Sequence, residues 1–426
     1  MKLFPISLGC PKNAVDLQIV LNGVCGSGDI VHDVSEADVM LINTCAFIDT
    51  AKQEAIDTIL DAVELKREKP HLKIIVTGCL PQRFKQQLRA EIPEVDIYIY
   101  DTETRHMVER VRNFLPQKKR VEREPIALFP RHSVYVKISD GCNNRCSYCA
   151  IPLIKGDYKS RPPADIIEET RQFVQRGARE INLVAQDSTY YGRDLPGDVS
   201  LAELLEKLDK IQNVDWIRLL YTHPAHWDNR LVDAVAKLET VVKYVDLPIQ
   251  HISDRILERM GRKIKRADIE KLIDRLRQSI PGVVLRTSII VGFPGETADD
   301  FEELVDFIQT TRFERLGVFV YSHEEGTRAY RLSDDVPYEI KLQRQQDLLD
   351  EQADISESFN RSLIGRELLI LVDELDKEKA VGRTQWDAPE IDNRVLISSD
   401  VDVGNFYRVK ITDADTFEMH GVVVNG

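Results

Sequence analysis

Hydrophobic and polar positions divide this chain into three stretches with different periods. In the first, apolar runs at 2–10, 38–45, 73–79 and 95–101 alternate with stretches of helical period, for example 51–67 and 82–92. Short apolar runs bounded by turn residues read as buried strands, and the alternation predicts an open α/β layer with a mostly parallel sheet. Right-handed crossovers then place all the strand C-termini on one edge. This stretch is expected to form a domain over 1–115.

Residues 116–128, PQKKRVEREPIAL, are charged, proline-bounded and weakly periodic, and read as a linker. The second stretch, 129–358, repeats strand and helix six times. Strands are expected at 134–140, 180–187, 216–223, 243–251, 283–293 and 315–323. Helices are expected at 163–177, 200–212, 229–239, 253–278 with a break near Gly261, 298–312 and 338–358. Six βα units are too few for a closed eight-stranded barrel, so a partial barrel is predicted, with its chemistry at the C-terminal ends of the strands. From 359 to 426 the period shortens. Runs at 367–372, 379–384, 395–397, 406–411 and 421–424, separated by Gly- and Asp-rich turns, predict a small antiparallel β-barrel of OB-like type.

Length and charge sharpen this picture. A chain of 426 residues is too long for one ordinary core. No run approaches the roughly 18 apolar residues of a membrane span. The opening MKLFPISLGCPKN lacks a secretory h-region, so the expected location is the cytoplasm, with no membrane partner. A net charge of −14 argues against broad nucleic-acid binding and suits a basic protein partner. Seven cysteines in a reducing compartment point to metal rather than disulfides.

Three of them, Cys142, Cys146 and Cys149, form a C-x3-C-x2-C spacing in SDGCNNRCSYCAIP, directly after the first barrel strand. Thiolates are the usual ligands of 4Fe-4S clusters. Three ligands for four irons leave one iron open, and an open position chelates a small molecule. The α-amino and carboxylate groups of S-adenosylmethionine (SAM) suit it, and an electron passed into the sulfonium would release a 5′-deoxyadenosyl radical. Zinc is the competing reading. It wants a fourth Cys or His at close spacing, whereas His132 lies at the far end of the strand.

Cys10, Cys45 and Cys79 share no local motif. Each instead closes an expected parallel strand, PISLGC, VMLINTC and IIVTGC. Strands of one sheet end on the edge where open α/β folds bind ligands, so the three thiols are expected to converge on a second cluster. Gly9, Pro11, Thr44 and Gly78 beside them allow loops to wrap it closely. Buried core cysteines are the alternative, but those should scatter along strands. Cys25 stands outside both sets.

Other candidates follow from position. Gln186 and Asp187 end the second barrel strand. Arg286 and Ser288 share one face of the fifth, where Arg286 is expected to meet the SAM carboxylate. Gly292 opens GFPGET, in which Thr297 and Asp300 make a capping box. His223 and His251 end strands three and four and read as hydrogen-bonded wall residues. Lys155 and Arg161, in KGDYKSR, face either an acidic substrate group or solvent. Trp386, in TQWDAPE, is either an interface anchor or a packing residue of the small barrel.

The stretches SLGCPKNAVD, NTCAFIDTAKQEAID, SDGCNNRCSYCAIPLIKG, VAQDSTYYG, RTSIIVGFPGET, VYSHEEGT and GRTQWDAPEID together resemble the methylthiotransferases of the radical SAM superfamily. The resemblance covers essentially the whole length. It implies an N-terminal auxiliary-cluster domain, a radical SAM core and a C-terminal TRAM domain. Cys142, Cys146 and Cys149 would hold the radical-generating cluster, and Cys10, Cys45 and Cys79 the cluster that presents sulfur. One SAM would donate a methyl group and a second would furnish the radical, with an external electron donor. The chain looks most like the branch that methylthiolates an aspartate of small-subunit ribosomal protein S-twelve. The branch that modifies tRNA adenosine usually has Gln-Met-Asn after the first cysteine, where this chain has Pro11-Lys12-Asn13. Residues 360–426 carry eight Lys/Arg against thirteen Asp/Glu, a net of −5, which fits a basic ribosomal protein better than tRNA.

Overall fold

The computed structural model describes residues 1–115, 125–376, 379–398 and 400–424. Of the linker expected at 116–128, residues 116–124 lie outside this description. The chain forms two compact units, Met1–Phe129 with Asp140–Lys159 and Glu324–Arg328, and Pro130–Ser139 with Ser160–His323 and Ala329–Gly426. Residues 140–159, which the periodicity assigns to the barrel stretch, therefore fold with the first unit. Among the described residues no helix is long and apolar enough to cross a membrane.

In the first unit, β1 (Leu3–Ser7), α1 (Pro11–Val24), β2 (Val39–Thr44), α2 (Asp49–Glu68), β3 (Lys73–Gly78), α3 (Cys79–Glu91), β4 (Ile97–Tyr98) and α4 (Thr104–Phe114) alternate as expected. The sheet runs β1-β2-β3-β4 and is parallel throughout. Successive strand residues feed opposite faces. Leu41 and Ile75 pack with Leu17, Leu21 and Val111 of α1 and α4, while Ile42 and Val76 pack with Ile59, Val63 and Leu80 of α2 and α3. After α1 the chain returns along the outer edge of β1, where Ile30 pairs in parallel with Leu3, before crossing to β2 on the other side. The direction of winding thus reverses between β1 and β2, and such a reversal opens a crevice at the strand C-termini. The short helix α5 (Ile151–Ile154) joins this unit, with Ala150 and Ile154 in the same apolar cluster as Cys79 and Leu80.

The second unit opens with β5 (Ser133–Lys137); the short β6 (Ser139–Asp140) and β7 (Lys159–Ser160) bracket the cysteine loop in sequence. There follow α6 (Pro163–Gln175), β8 (Glu180–Val184), α7 (Leu201–Leu208), β9 (Trp216–Leu219), α8 (Asn229–Lys237), β10 (Tyr244–Asp246), α9 (Asp254–Met260), α10 (Arg266–Ser279), β11 (Val284–Val291), α11 (Ala298–Thr311), β12 (Arg315–Val320) and α12 (Tyr338–Arg361). The six strands hydrogen-bond as two parallel triplets, β5-β8-β9 and β10-β11-β12, with an isolated Ile217–Val241 bridge beside the gap. Several stop short of their expected ends. Tyr221 at φ +58° bends the chain after β9, and past the end of β10 the chain meets β11 once more at Gln250 (φ +74°), which bridges Ile289. The break expected near Gly261 is a left-handed helix C-cap at φ +70°.

Five strands, β13 (Glu367–Asp376), β14 (Lys379–Arg383), β15 (Arg394–Ile397), β16 (Phe406–Ala414) and β17 (Glu418–Val423), close a small barrel in the order β13-β14-β15-β17-β16. Its pairs are antiparallel except β15–β17, which is parallel. This barrel is tied to the N-terminal ends of the six strands by buried charges. Arg383 bonds Glu180 at 2.8 Å and Asp373 at 2.7 Å, Arg218 bonds Glu180 at 3.0 Å, and Arg315 bonds Asp387 at 2.7 Å.

Candidate active site

The sheet edge of the first unit gathers Cys10, Cys45 and Cys79. Each lies just beyond its strand rather than within it: Cys10 caps α1, Cys45 follows β2 and Cys79 opens α3. Their positions flank the reversal of the sheet. Asn13 fastens all three loops. Its Nδ2 donates to the carbonyls of Leu8 at 3.2 Å and Thr44 at 3.0 Å, and its Oδ1 accepts from the Cys79 thiol at 3.5 Å. Gly9 (φ +84°) lets the first loop close on the second, since a Cβ there would stand 2.6 Å from Cys45 Cβ.

Burial pushes the Cys79 thiol up to about 12, with Cys45 and Cys10 adding to the rise and Lys155 opposing it. Burial likewise raises Cys45, and Cys10 contributes. Burial keeps Cys79 and Cys45 as neutral thiols, and a bound cation or cluster would draw off their protons; an all-sulfur donor set suits iron–sulfur chemistry.

The second cysteine set belongs to the same unit. Cys142 donates its N–H to Gly156 at 3.2 Å, and Cys149 to Cys146 at 3.2 Å, so the loop curls back on itself. Gly141 (φ +71°) permits this: a Cβ there would lie 2.1 Å from the Asp157 carbonyl oxygen. Cys142 is buried, and Cys146 and Cys149 are half-buried. Here too the donors are all thiols on a close-wrapped loop, which fits a four-iron cluster.

Lys155, placed by sequence either toward substrate or in solvent, is instead buried in this unit. Its Nζ lies 3.0 Å from Asp16 Oδ2. Burial works against its charge, and Asp16, Asp140 and Cys79 outweigh it, so its pKa is raised.

In the second unit, Asp187 faces His226 at 2.7 Å and Thr189 at 2.6 Å. Burial raises its carboxyl, but these bonds and the histidines bring it down to about 2. Gln186 is half-buried beside it. Ser288 Oγ accepts from Arg286 at 3.3 Å, and Gly292 donates to Glu296 Oε2 at 2.9 Å while packing against the Lys341 stem.

Arg286 departs from expectation. It is the third residue of β11, near that strand's N-terminus, and it pairs with Asp246 at 3.1 Å and Asp392 at 3.4 Å. Period two gives the face a side chain occupies but not the end of the strand it serves. Arg161 bonds Glu169 at 2.6 Å. Trp386 donates to the Gly282 carbonyl at 3.0 Å and packs on Phe359, with ring centroids 6.0 Å apart, so it takes the packing role. Asn13, Asp16 and His226 escaped the sequence reading. A polar residue near a candidate ligand, as in PKN and THPAH, was the available signal.

Comparison with known proteins accords with this construction. A radical SAM superfamily model matches residues 136–308, one described as uncharacterized protein family UPF0004 matches 2–100, and a TRAM domain model matches 364–424. Among solved structures, the radical SAM methyltransferase TsrM from Kitasatospora setae shares the fold with TM-score 0.57 at 13% identity, covering 75% of each chain. The cobalamin-dependent SAM radical enzyme OxsB does so with TM-score 0.52 at 12% identity, over 82% of this chain and 56% of that one. The protein is thus of the radical SAM class.

Curated relatives narrow the class. The ribosomal protein uS12 methylthiotransferase RimO of Chloroherpeton thalassium is 43% identical over 99% of this chain and 98% of its own. That of Geobacter sulfurreducens is 42% identical over 100% and 99%. The chain belongs to this methylthiotransferase family.

Proposed function

We propose that this protein adds a methylthio group to the β-carbon of an aspartate of small-subunit ribosomal protein uS12, using two 4Fe-4S clusters and two SAM per turnover. The observation that carries the reading is the presence of two three-cysteine sets in one compact unit, one on a loop and one across three strand ends. With three thiolates each, such clusters keep one iron open, to cleave SAM reductively in one case and to present sulfur in the other. The chain's own part is to hold and insulate them. Cys142, Cys146 and Cys149 would ligate the first, and Cys10, Cys45 and Cys79 the second. Asn13 fixes the spacing of the second set, and Lys155 supplies a buried positive charge beside Cys79. Gln186, Ser288 and Gly292 are our candidates for SAM contacts. Asp187 acts by orienting His226, and Arg286 serves the opposite strand end. The acidic C-terminal barrel suits a basic ribosomal protein as partner, whether free or in the small subunit. The setting is the cytoplasm, with a cellular reductant as electron donor.

The test is anaerobic reconstitution with iron and sulfide, followed by SAM, dithionite and either a uS12 peptide or tRNA. A methylthio mass increment on the peptide is expected. An increment confined to RNA nucleosides would overturn the substrate assignment.

A further inference from the structure

A nitrogen of His223, a nitrogen of His226 and an oxygen of Asp187 lie within 4.8 Å of one another. These residues sit on the connections that follow β8 and β9, the strand ends where such folds carry chemistry. His226 engages Asp187 through Nδ1. His223 uses its Nδ1 to accept from the Ala225 backbone N–H at 3.2 Å. A neutral imidazole has one acceptor and one donor nitrogen, so this bond makes Nε2 the donor. Yet His223 is only 5% exposed, and its Nε2 has no hydrogen-bond partner among the described residues. A buried donor left unmade is costly, and a site that retains one is built to receive an acceptor.

The surroundings fix that donor in place. The His223 and His226 rings stack with centroids 4.8 Å apart, and Tyr190 meets His226 edge-on at 5.2 Å. The His223 backbone N–H donates to Thr189 Oγ1 at 2.9 Å, and the same hydroxyl donates to Asp187. Tyr221, two residues earlier, holds a left-handed conformation rarely adopted by bulky residues, as strained positions near functional sites do. A metal ion is a poor occupant. Nε2 carries its proton and offers no lone pair, and the Arg262 guanidinium imposes positive potential on His223.

We propose that His223 and His226 form a carboxylate-binding site for the target aspartate, with His223 Nε2–H donating to it. This rests on the function proposed above. There, the SAM carboxylate is committed to the open iron, which leaves the aspartate side chain as the anion in need of a partner. The carbon to be modified is bonded directly to that carboxyl carbon, so anchoring the carboxylate positions the reacting C–H.

The experiment uses the reconstituted holoenzyme with two uS12 peptides, one carrying the target aspartate and one with asparagine there. The variants are His223→Asn, which keeps an acceptor for the Ala225 N–H but withdraws the Nε2 donor, and His223→Gln, which returns an N–H near that position. Peptide KM and the SAM dissociation constant are measured in parallel. The wild type should prefer the aspartate peptide at least tenfold. His223→Asn should lose most of that preference through a raised KM, and His223→Gln should recover much of it. Equal preference in wild type and His223→Asn overturns the site. So does a tenfold loss of SAM affinity with peptide preference intact, which would place the sulfonium's own carboxylate here. Absence of methylthio product from the wild type would overturn the proposed function, and this site with it.

Discussion

The six strands of the second unit end in opposite ways. At their N-termini buried acids and arginines pair across strands and barrel. Glu180 is buried between Arg218 and Arg383 and also accepts from Ser133 at 2.7 Å; Arg315 meets Asp387, and Tyr244 donates to Asp392 at 2.7 Å. At their C-termini the chain bends through strained residues and leaves His223 with an unused donor. One end is built to be closed permanently by the small barrel, and the other to receive something from outside. The difference lies in what the buried groups face: at one end paired charges hold two elements together, and at the other a histidine N–H is aimed at no protein acceptor among the described residues.

Breaking the closed end should cost the most. Glu180→Gln leaves two buried guanidinium groups facing a neutral amide, and a loss of about 3–5 kcal/mol is expected in chemical denaturation. The same residue predicts an acid step. Burial pushes Glu180 upward, but Arg383 and Arg218 overcome it and hold the carboxyl at about 2, below its ordinary 4.5. A carboxyl depressed on folding contributes stability that is present above about pH 4.5 and lost as pH falls toward 2. The step is about 3 kcal/mol, and a pH series of melts should show it missing from Glu180→Gln. Arg286→Met should cost about 2 kcal/mol by removing a charged hydrogen bond, with SAM affinity within twofold of wild type by calorimetry. A tenfold loss would return Arg286 to the ligand-binding end. The smallest effect belongs to the open end. Thr189→Val removes the hydroxyl between Asp187 and the His223 N–H, and about 1–2 kcal/mol is expected, together with a raised peptide KM.

Legibility in the sequence follows the range of the interaction. The C-x3-C-x2-C loop is local and is read directly. Cys10, Cys45 and Cys79 are legible only through the strands that carry them, and the pattern misplaces them by one to three residues because apolar runs continue past the last ladder bond. The closing network was not legible, since Glu180 and Arg383 are 203 residues apart and become partners only in the folded unit. Arg286 is legible by face but not by the strand end it serves, for the same reason: its partner Asp392 lies in another stretch of the chain. His223 was visible as a strand-end histidine, but its lone donor depends on a tautomer fixed by Ala225.

The central claim is that two three-cysteine sets hold two clusters with separate tasks. Iron and sulfide analysis with Mössbauer spectroscopy tests it most directly, on the wild type, on Cys10→Ala/Cys45→Ala/Cys79→Ala and on Cys142→Ala/Cys146→Ala/Cys149→Ala. The wild type should carry twice the cluster iron of either triple variant, and only the first variant should retain reductive cleavage of SAM. Full iron content in the variant lacking Cys10, Cys45 and Cys79 would contradict the account.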